Sequence, residues 1–249
     1  DYETIRAAMI ADFRARDPEF DAVLESDPAI KVLEAAAYRE MLVRQRVNDA
    51  ARARMLAFAQ GADLDHIGSG FAVARMEGES DDRLRRRIQM AHESYTAAGT
   101  PGAYAWHAFS ASTEVGDVSV LSPGPGKVEV TIMGSGDNAN VSPSVFSAMR
   151  DCLEREDVKA LTDMLTVRRA TRHFYSVDAK LWLYQGPDSV LVADQARQAV
   201  RAYANQTRLI GYDVTLSGLY AALHVAGVQN AVLVNPTETL RIDNRSVAV

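Results

Sequence analysis

The sequence predicts an α+β chain: an N-terminal helical arm with one long helix, followed by two small mixed α+β lobes. Three observations carry that reading. After Pro28 no glycine or proline occurs until Gly61, and the run between them is periodic like a helix. At Thr100 the texture changes to short alternating apolar segments separated by turn residues. Two blocks from Thr100 onward also share an order of elements. The expected divisions are an arm over 1–98, a first lobe over 99–170 and a second over 171–249.

Residues 1–26 read as a helix, DYETIRAAMIADFRA, and an acidic connector around Asp17 and Pro18. Ile5, Ala8, Met9 and Phe13 share one helical face and are expected to pack on the long helix. That long helix begins at Asp27, a good N-cap, with Pro28 at the first helical position. Gly61 is the expected stop, which makes a helix of about 33 residues and about 50 Å. Ile30, Leu33, Ala37, Met41, Arg44, Asn48, Ala51, Met55 and Phe58 follow at steps of three and four, a seam for a neighbouring helix. A second apolar face carries Val32, Ala36, Val43, Val47, Ala50 and Ala57. One reading is an internal core helix; the other is an assembly arm in which Arg44 and Asn48 set register and partner choice.

A short helix and a Gly68-Ser69-Gly70 turn follow, then a helix capped by Ser80 with Asp81 and Asp82 in its first turn. Leu84, Ile88, Ala91 and Tyr95 form its apolar stripe. Arg83, Arg85, Arg86 and Arg87 are the densest basic run of the chain, open to three readings: a solvated face, a phosphate site, or an ion-pairing surface for a protein partner.

In the lobes, Thr100-Pro101 opens a helix with Tyr104, His107, Ala108 and Ala111, and strands through Val118–Val120 and Val128–Ile132 flank the turn SPGPGK. Ser142-Pro143 opens another helix, and a strand is expected near Leu165 to Ala170. His173 to Tyr184 reads as one long strand, alternating Val177, Ala179, Leu181, Leu183 against Asp178, Lys180, Trp182, Tyr184. A helix through Ala196 and Tyr203 to Gly211, a short strand near Tyr212 to Val214, the helix TLSGLYAALHVA and strands VQNAVLV and ETLRID complete the chain. TPGAYAWHAFSA with its strands resembles LSGLYAALHVAG with its own: Gly102, Tyr104 and Ala105 match Gly218, Tyr220 and Ala221. Both blocks read helix–strand–turn–strand, so the second lobe is expected to be a permuted copy of the first.

Composition sets the class. The chain has 249 residues, is 47% hydrophobic and 24% charged, and carries a formal net charge of -6, which disfavours a general nucleic-acid binder. No apolar run approaches membrane-spanning length. The single cysteine, Cys152, cannot form an internal disulfide and suits a reducing cytosol.

A search for chemistry yields no catalytic, cofactor or metal site. His66, His92, His107, His173 and His224 lie far apart, with no HExxH-like or CxxC partner. Gly124-Pro-Gly126-Lys127 lies between strands and lacks the Ser or Thr of a phosphate loop. Asp137-Asn-Ala-Asn140 lacks the glycine and closing glutamate of a calcium loop. Asp63 and Asp65 read as caps, Cys152 has no nearby histidine, and Ser69 lacks the context of a nucleophile elbow.

Several long segments, in order, resemble the phage baseplate assembly protein J family: LEAAAYREMLVRQRVNDAARARMLAFAQGADLDHIGSGFAVAR, SDDRLRRRIQMAHESYTAAGTPGAYAWHAFSA, VSVLSPGPGKVEVTI, REDVKALTDMLTV and LSGLYAALHVAGVQNAVLVNP. They run from about Asp27 to Pro236, so the resemblance spans most of the chain. It implies a structural inner-wedge protein of a contractile-tail baseplate, of a phage or of a headless bacteriocin (tailocin) or other injection particle. The resemblance further implies paired copies joined through helical arms, lobes that link wedges into a ring around the hub, other wedge and hub proteins as partners, and no enzymatic activity or cofactor. It places the protein in the particle's tail baseplate, assembled in the host cytoplasm. Gly61, Gly68, Gly70 and Gly99 are the expected hinges between arm and lobes. Two other classes remain at this point: an α+β enzyme with an unrecognised site, and a DNA-contacting tail protein using the Arg83–Arg87 run.

Overall fold

Local sequence chemistry starts four of the helices where they were expected. In the computed structural model, which describes residues 1–19, 26–96, 99–186 and 188–249, Asp27 Oδ1 accepts from the Ala29 amide at 2.7 Å and opens α2, Pro28–Ala53. Ser80 caps α4 (Asp81–Met90), Thr100 caps α5 (Pro101–Ser110) and Ser142 caps α6 (Pro143–Leu153), each through its hydroxyl. These side chains satisfy amides that the first helical turn leaves without a partner. Each cap bonds within three residues, so no distant contact is needed to place it.

The chain divides into two units, Asp1–Gly70 and Phe71–Val249. The first holds α1 (Tyr2–Arg16), α2 and α3 (Gly61–Ser69). α1 packs on α2, and Arg6 of α1 holds Glu34 at 3.0 Å. The long helix stops at Ala53, earlier than the expected Gly61: Arg54 caps it in the right-handed region and the chain continues in turns. Gly61 instead begins α3, with a φ of +50° that favours a residue without Cβ. The absence of glycine and proline permits a helix but does not require one. Residues 54–60 spend their backbone bonds on turns instead, such as Met55 N to Arg52 O at 2.9 Å.

Among the described residues the second unit holds three small sheets. β1 (Val115–Gly124) pairs antiparallel with β2 (Lys127–Gly134), which pairs parallel with β3 (Met164–Arg169). α5 and α6 supply Tyr104, Ala108, Phe109, Met149 and Leu153 to one core with Val130 and Ile132. Tyr104 is buried there; its hydroxyl donates to Asp163 Oδ2 at 2.8 Å, and burial together with that bond pushes it up to about 12.

In the last third, β5 (Asp178–Leu183) pairs antiparallel with β6 (Val228–Asn235), and α7 (Ser189–Thr207) and α8 (Leu216–Leu223) contribute Val192 and Leu223 to the core with Val228 and Ala231. The long strand expected from His173 to Tyr184 is two strands: β4 (Thr171–His173) pairs with β7 (Ser246–Ala248), and β5 pairs with β6. Period-two alternation specifies which residues share a face but not which neighbour each stretch chooses. The segment expected as a closing strand makes a single bridge, Val214 to Leu240, and α7 ends at Thr207 rather than at Gly211. Both repeat blocks carry a helix into a strand. In the first block the strand pairs with the next strand; in the second, β6 pairs with the earlier β5.

Polar contacts tie the two parts of this unit together. Asp117 Oδ2 accepts from the Ile210 amide at 3.1 Å, and Arg245 Nε meets Glu129 Oε1 at 2.6 Å. Met133 and Ala139 share a core with Ile210 and Val247. Gly134 sits where β2 leaves its sheet, and a Cβ there would collide with the Asn140 carbonyl. Replacing Gly134 by alanine is therefore expected to cost about 1–3 kcal/mol of stability in denaturant unfolding. Gly124→Ala, in open space, is the control and should stay within about 0.5 kcal/mol. Equal stability of the two variants would show that the loop moves aside freely.

Candidate functional site

Among the described residues, the first unit presents an exposed apolar helix face. Of the nine residues expected along the α2 seam, Ile30 and Ala37 are buried and Leu33 and Met41 half-buried. They lie on the same side of the helix as Glu34, the residue that Arg6 of α1 holds, so this half of the seam is already occupied within the chain. Beyond it Arg44, Asn48 and Ala51 are exposed, and Arg44 bonds back to Glu40 on its own helix at 2.9 Å. Met55 and Phe58 lie past the helix end, exposed, with the Arg52 guanidinium 5.3 Å from the Phe58 ring.

The second face is the open one. Val32, Val43 and Val47 are 68%, 62% and 62% exposed, and Ala36 and Ala50 are exposed between and beyond them. Scattered single apolar residues on a surface are ordinary, whereas these are aligned in a stripe over four helical turns.

The basic run of the second unit behaves differently. Arg83 lies 3.9 Å from the Phe109 ring and donates to the Phe109 and Ser112 carbonyls, both at 2.6 Å, and to that of Val115. A guanidinium is thus spent on carbonyls at the C-terminal end of α5, where a cation is favoured. Burial, with the like charges of Arg87 and Arg86, brings Arg83 down to about 10, against the pull of Glu79. Arg86 pairs with Asp117 at 2.6 Å, and Arg87, itself buried, reaches Glu79 at 2.7 Å, the Ala74 carbonyl at 3.1 Å and Ser110 at 3.2 Å. Arg85 pairs with the exposed Asp82 at 2.7 Å. Arg83 and Arg87 are therefore built into the fold around one buried carboxylate, Glu79, and Arg86 is held by a second, Asp117. In the sequence Glu79 was only one acid among several beside a basic run; in the fold it meets Arg83 and Arg87 of α4 and the Met76 amide of the loop before that helix.

The four expected hinge glycines fall in different surroundings. Gly61 has open space around its Cα, and Gly70 closes α3 at the division between the two units. Gly68 is buried within α3. Gly99 has a φ of +60°, and a Cβ there would press on Ala160 and Asp163.

For chemistry the residues offer little convergence. Burial pushes the Cys152 thiol up, away from the thiolate a nucleophile needs, and lowers His107. Among the described residues no three His, Cys, Asp or Glu side chains come close enough to hold a metal ion. No helix among them is long and apolar enough to cross a membrane.

Similarity to known proteins follows the same elements. Residues 25–82, which contain α2 and α3, match the family model for the Baseplate J-like N-terminal domain. Residues 96–169, which contain α5 through β3, match that for the Baseplate J-like central domain. Baseplate protein J of Escherichia phage P2 is 40% identical over 258 residues, an alignment that covers 95% of this chain and 85% of that protein.

Proposed function

The chain belongs to the baseplate J family, and on that premise we propose that it is a wedge component of a contractile tail, paired through α2 and linked to neighbouring wedges in a ring around the central hub. At the coarser level it is a structural component of a phage tail baseplate, located in the tail of the virion. Its work in this reading is assembly and conformational change rather than catalysis, in a phage tail or a related headless particle. The observation that carries the proposal is the open face of α2, where Val32, Val43 and Val47 are each more than half exposed. Burying such a stripe against a second helix is the main favourable term available to it. Arg44 and Asn48, exposed on the flank, would fix the register of the pair.

Motion between wedges would turn on the glycines. Gly61, in open space, and Gly70, at the division between the two units, are the better placed of the four. Electron cryomicroscopy of particles before and after contraction tests both parts. Density for the chain is expected in the baseplate, with a change of direction at residues 61–70. Density only elsewhere along the tail removes the wedge role, and an unchanged direction removes the hinge.

A further inference from the structure

The second small sheet is short of a strand. Among the described residues β5 and β6 pair only with each other, and a two-stranded sheet is marginal in water unless something else packs on it. The shortfall lies on one side. Val228 and Ala231 of β6 are buried, whereas Ala179, Leu181 and Leu183 of β5 are only half-buried. A groove of about 730 Å³ runs along β5 beside α7, lined by Ala179 and Leu181 on one wall and Ala193, Val200 and Ala204 on the other. Apart from the ladder with β6, the β5 backbone has no backbone partner among the described residues, so a row of amides and carbonyls faces outward.

The rim carries charge. Arg197 and Arg201 stand one helical turn apart on α7, and Asp178 sits at the start of β5. Arg197 holds Asp194 at 2.6 Å, a pair more than half exposed on both sides and easily exchanged. Arg201 is exposed with no ion-pair partner among the described residues.

We propose that this groove accepts an extended segment of another polypeptide as a third strand on β5, with apolar side chains against α7 and two carboxylates, two residues apart on the same face, near Arg197 and Arg201. The backbone edge selects an extended guest, because only a strand can bond a row of amides and carbonyls at once. The small residues of α7 leave room for the guest's side chains. The two arginines set the preferred sign of its charge.

The test uses the full chain and two synthetic peptides, Ac-TVTVTETE-NH2, whose valines and glutamates share one face, and its analogue with lysine for both glutamates. Adding the acidic peptide should slow amide exchange across β5 by about tenfold or more at saturation, with the amides of β2 unchanged as the internal reference. The lysine peptide should bind about tenfold more weakly, and R197E with R201E should reverse that order; both arginines are exposed, so the variant folds. Unchanged β5 exchange at millimolar acidic peptide overturns the proposal. So does equal binding of the two peptides, which would leave a groove without charge selection. Protection of β5 that rises with protein concentration and without peptide would also overturn it, since the occupant would then be a second copy of this chain.

Discussion

Replacing Glu79 by alanine lowers the stability of the second unit by about 3–5 kcal/mol, the cost of leaving buried charge without its partner. Its side chain has no exposed surface; Oε2 meets Arg87 at 2.7 Å and accepts from the Met76 amide at 2.9 Å, and Oε1 lies 3.5 Å from Arg83 Nε. Without the carboxylate, Arg83 and Arg87 are like charges packed together beside Arg86, which Asp117 pairs. An exposed pair such as Arg197–Asp194 would lose no more than about 1 kcal/mol on the same treatment, because water replaces the partner. For a unit of this size the loss corresponds to a fall in Tm of roughly 6–20 °C. The measurement is thermal or denaturant unfolding of E79A beside D194A. A second arm, Glu79→Ala combined with Arg87→Met, should recover part of the loss by removing one stranded charge. A change of less than about 1 kcal/mol in E79A would show that water enters the site and that the buried network is not what holds α4 on α5.

Aspartate at both Val43 and Val47 should abolish pairing between copies while leaving the chain folded. Each valine contributes at least about 1.5 kcal/mol when fully buried, so four of them across a twofold pair amount to about 6 kcal/mol before any cost of desolvating the new carboxylates. That corresponds to about four orders of magnitude in the dissociation constant. The effect on the single chain is small, since both side chains are 62% exposed there and the helix propensities of valine and aspartate are close. Light scattering over a concentration series, with circular dichroism as the check on folding, separates the two effects. Loss of helical signal in the variant would mean that the face is part of the folded core after all, and unchanged pairing would place the interface elsewhere. Aspartate at Leu33 or Met41 is a poorer test: both are half-buried on the side of α2 where α1 packs, so unfolding and loss of pairing would be confounded.

Much of the local architecture was legible. The caps at Asp27, Ser80, Thr100 and Ser142, the strand–turn–strand around Gly124 and Gly126, and the α+β class all follow from residues within a few positions of one another. Family membership was also legible, because it rests on long segments in a fixed order. The two apolar faces of α2 could be read from its periodicity as well. Which face would remain open could not: α1 claims the half of the seam around Ile30 and Ala37, and nothing in the periodicity ranks one face over the other.

The same limit explains the arginines and the groove. Four basic residues within five positions look solvated, and only the approach of Phe109, Ser110, Ser112, Val115 and Asp117, from 23 to 32 residues away, engages Arg83, Arg86 and Arg87. β5 looked like part of one long strand, and only its pairing with β6 leaves an edge and a groove along α7. By itself the sequence determined where helices and turns begin, which residues share a face, and to which family the chain belongs, because caps, turns and periodicity act over one or two turns of chain. Tertiary structure alone decided which face is covered, which charges are buried and which strand edge stays open. Those outcomes depend on competition among distant segments for the same surface, and local rules carry no information about who wins it.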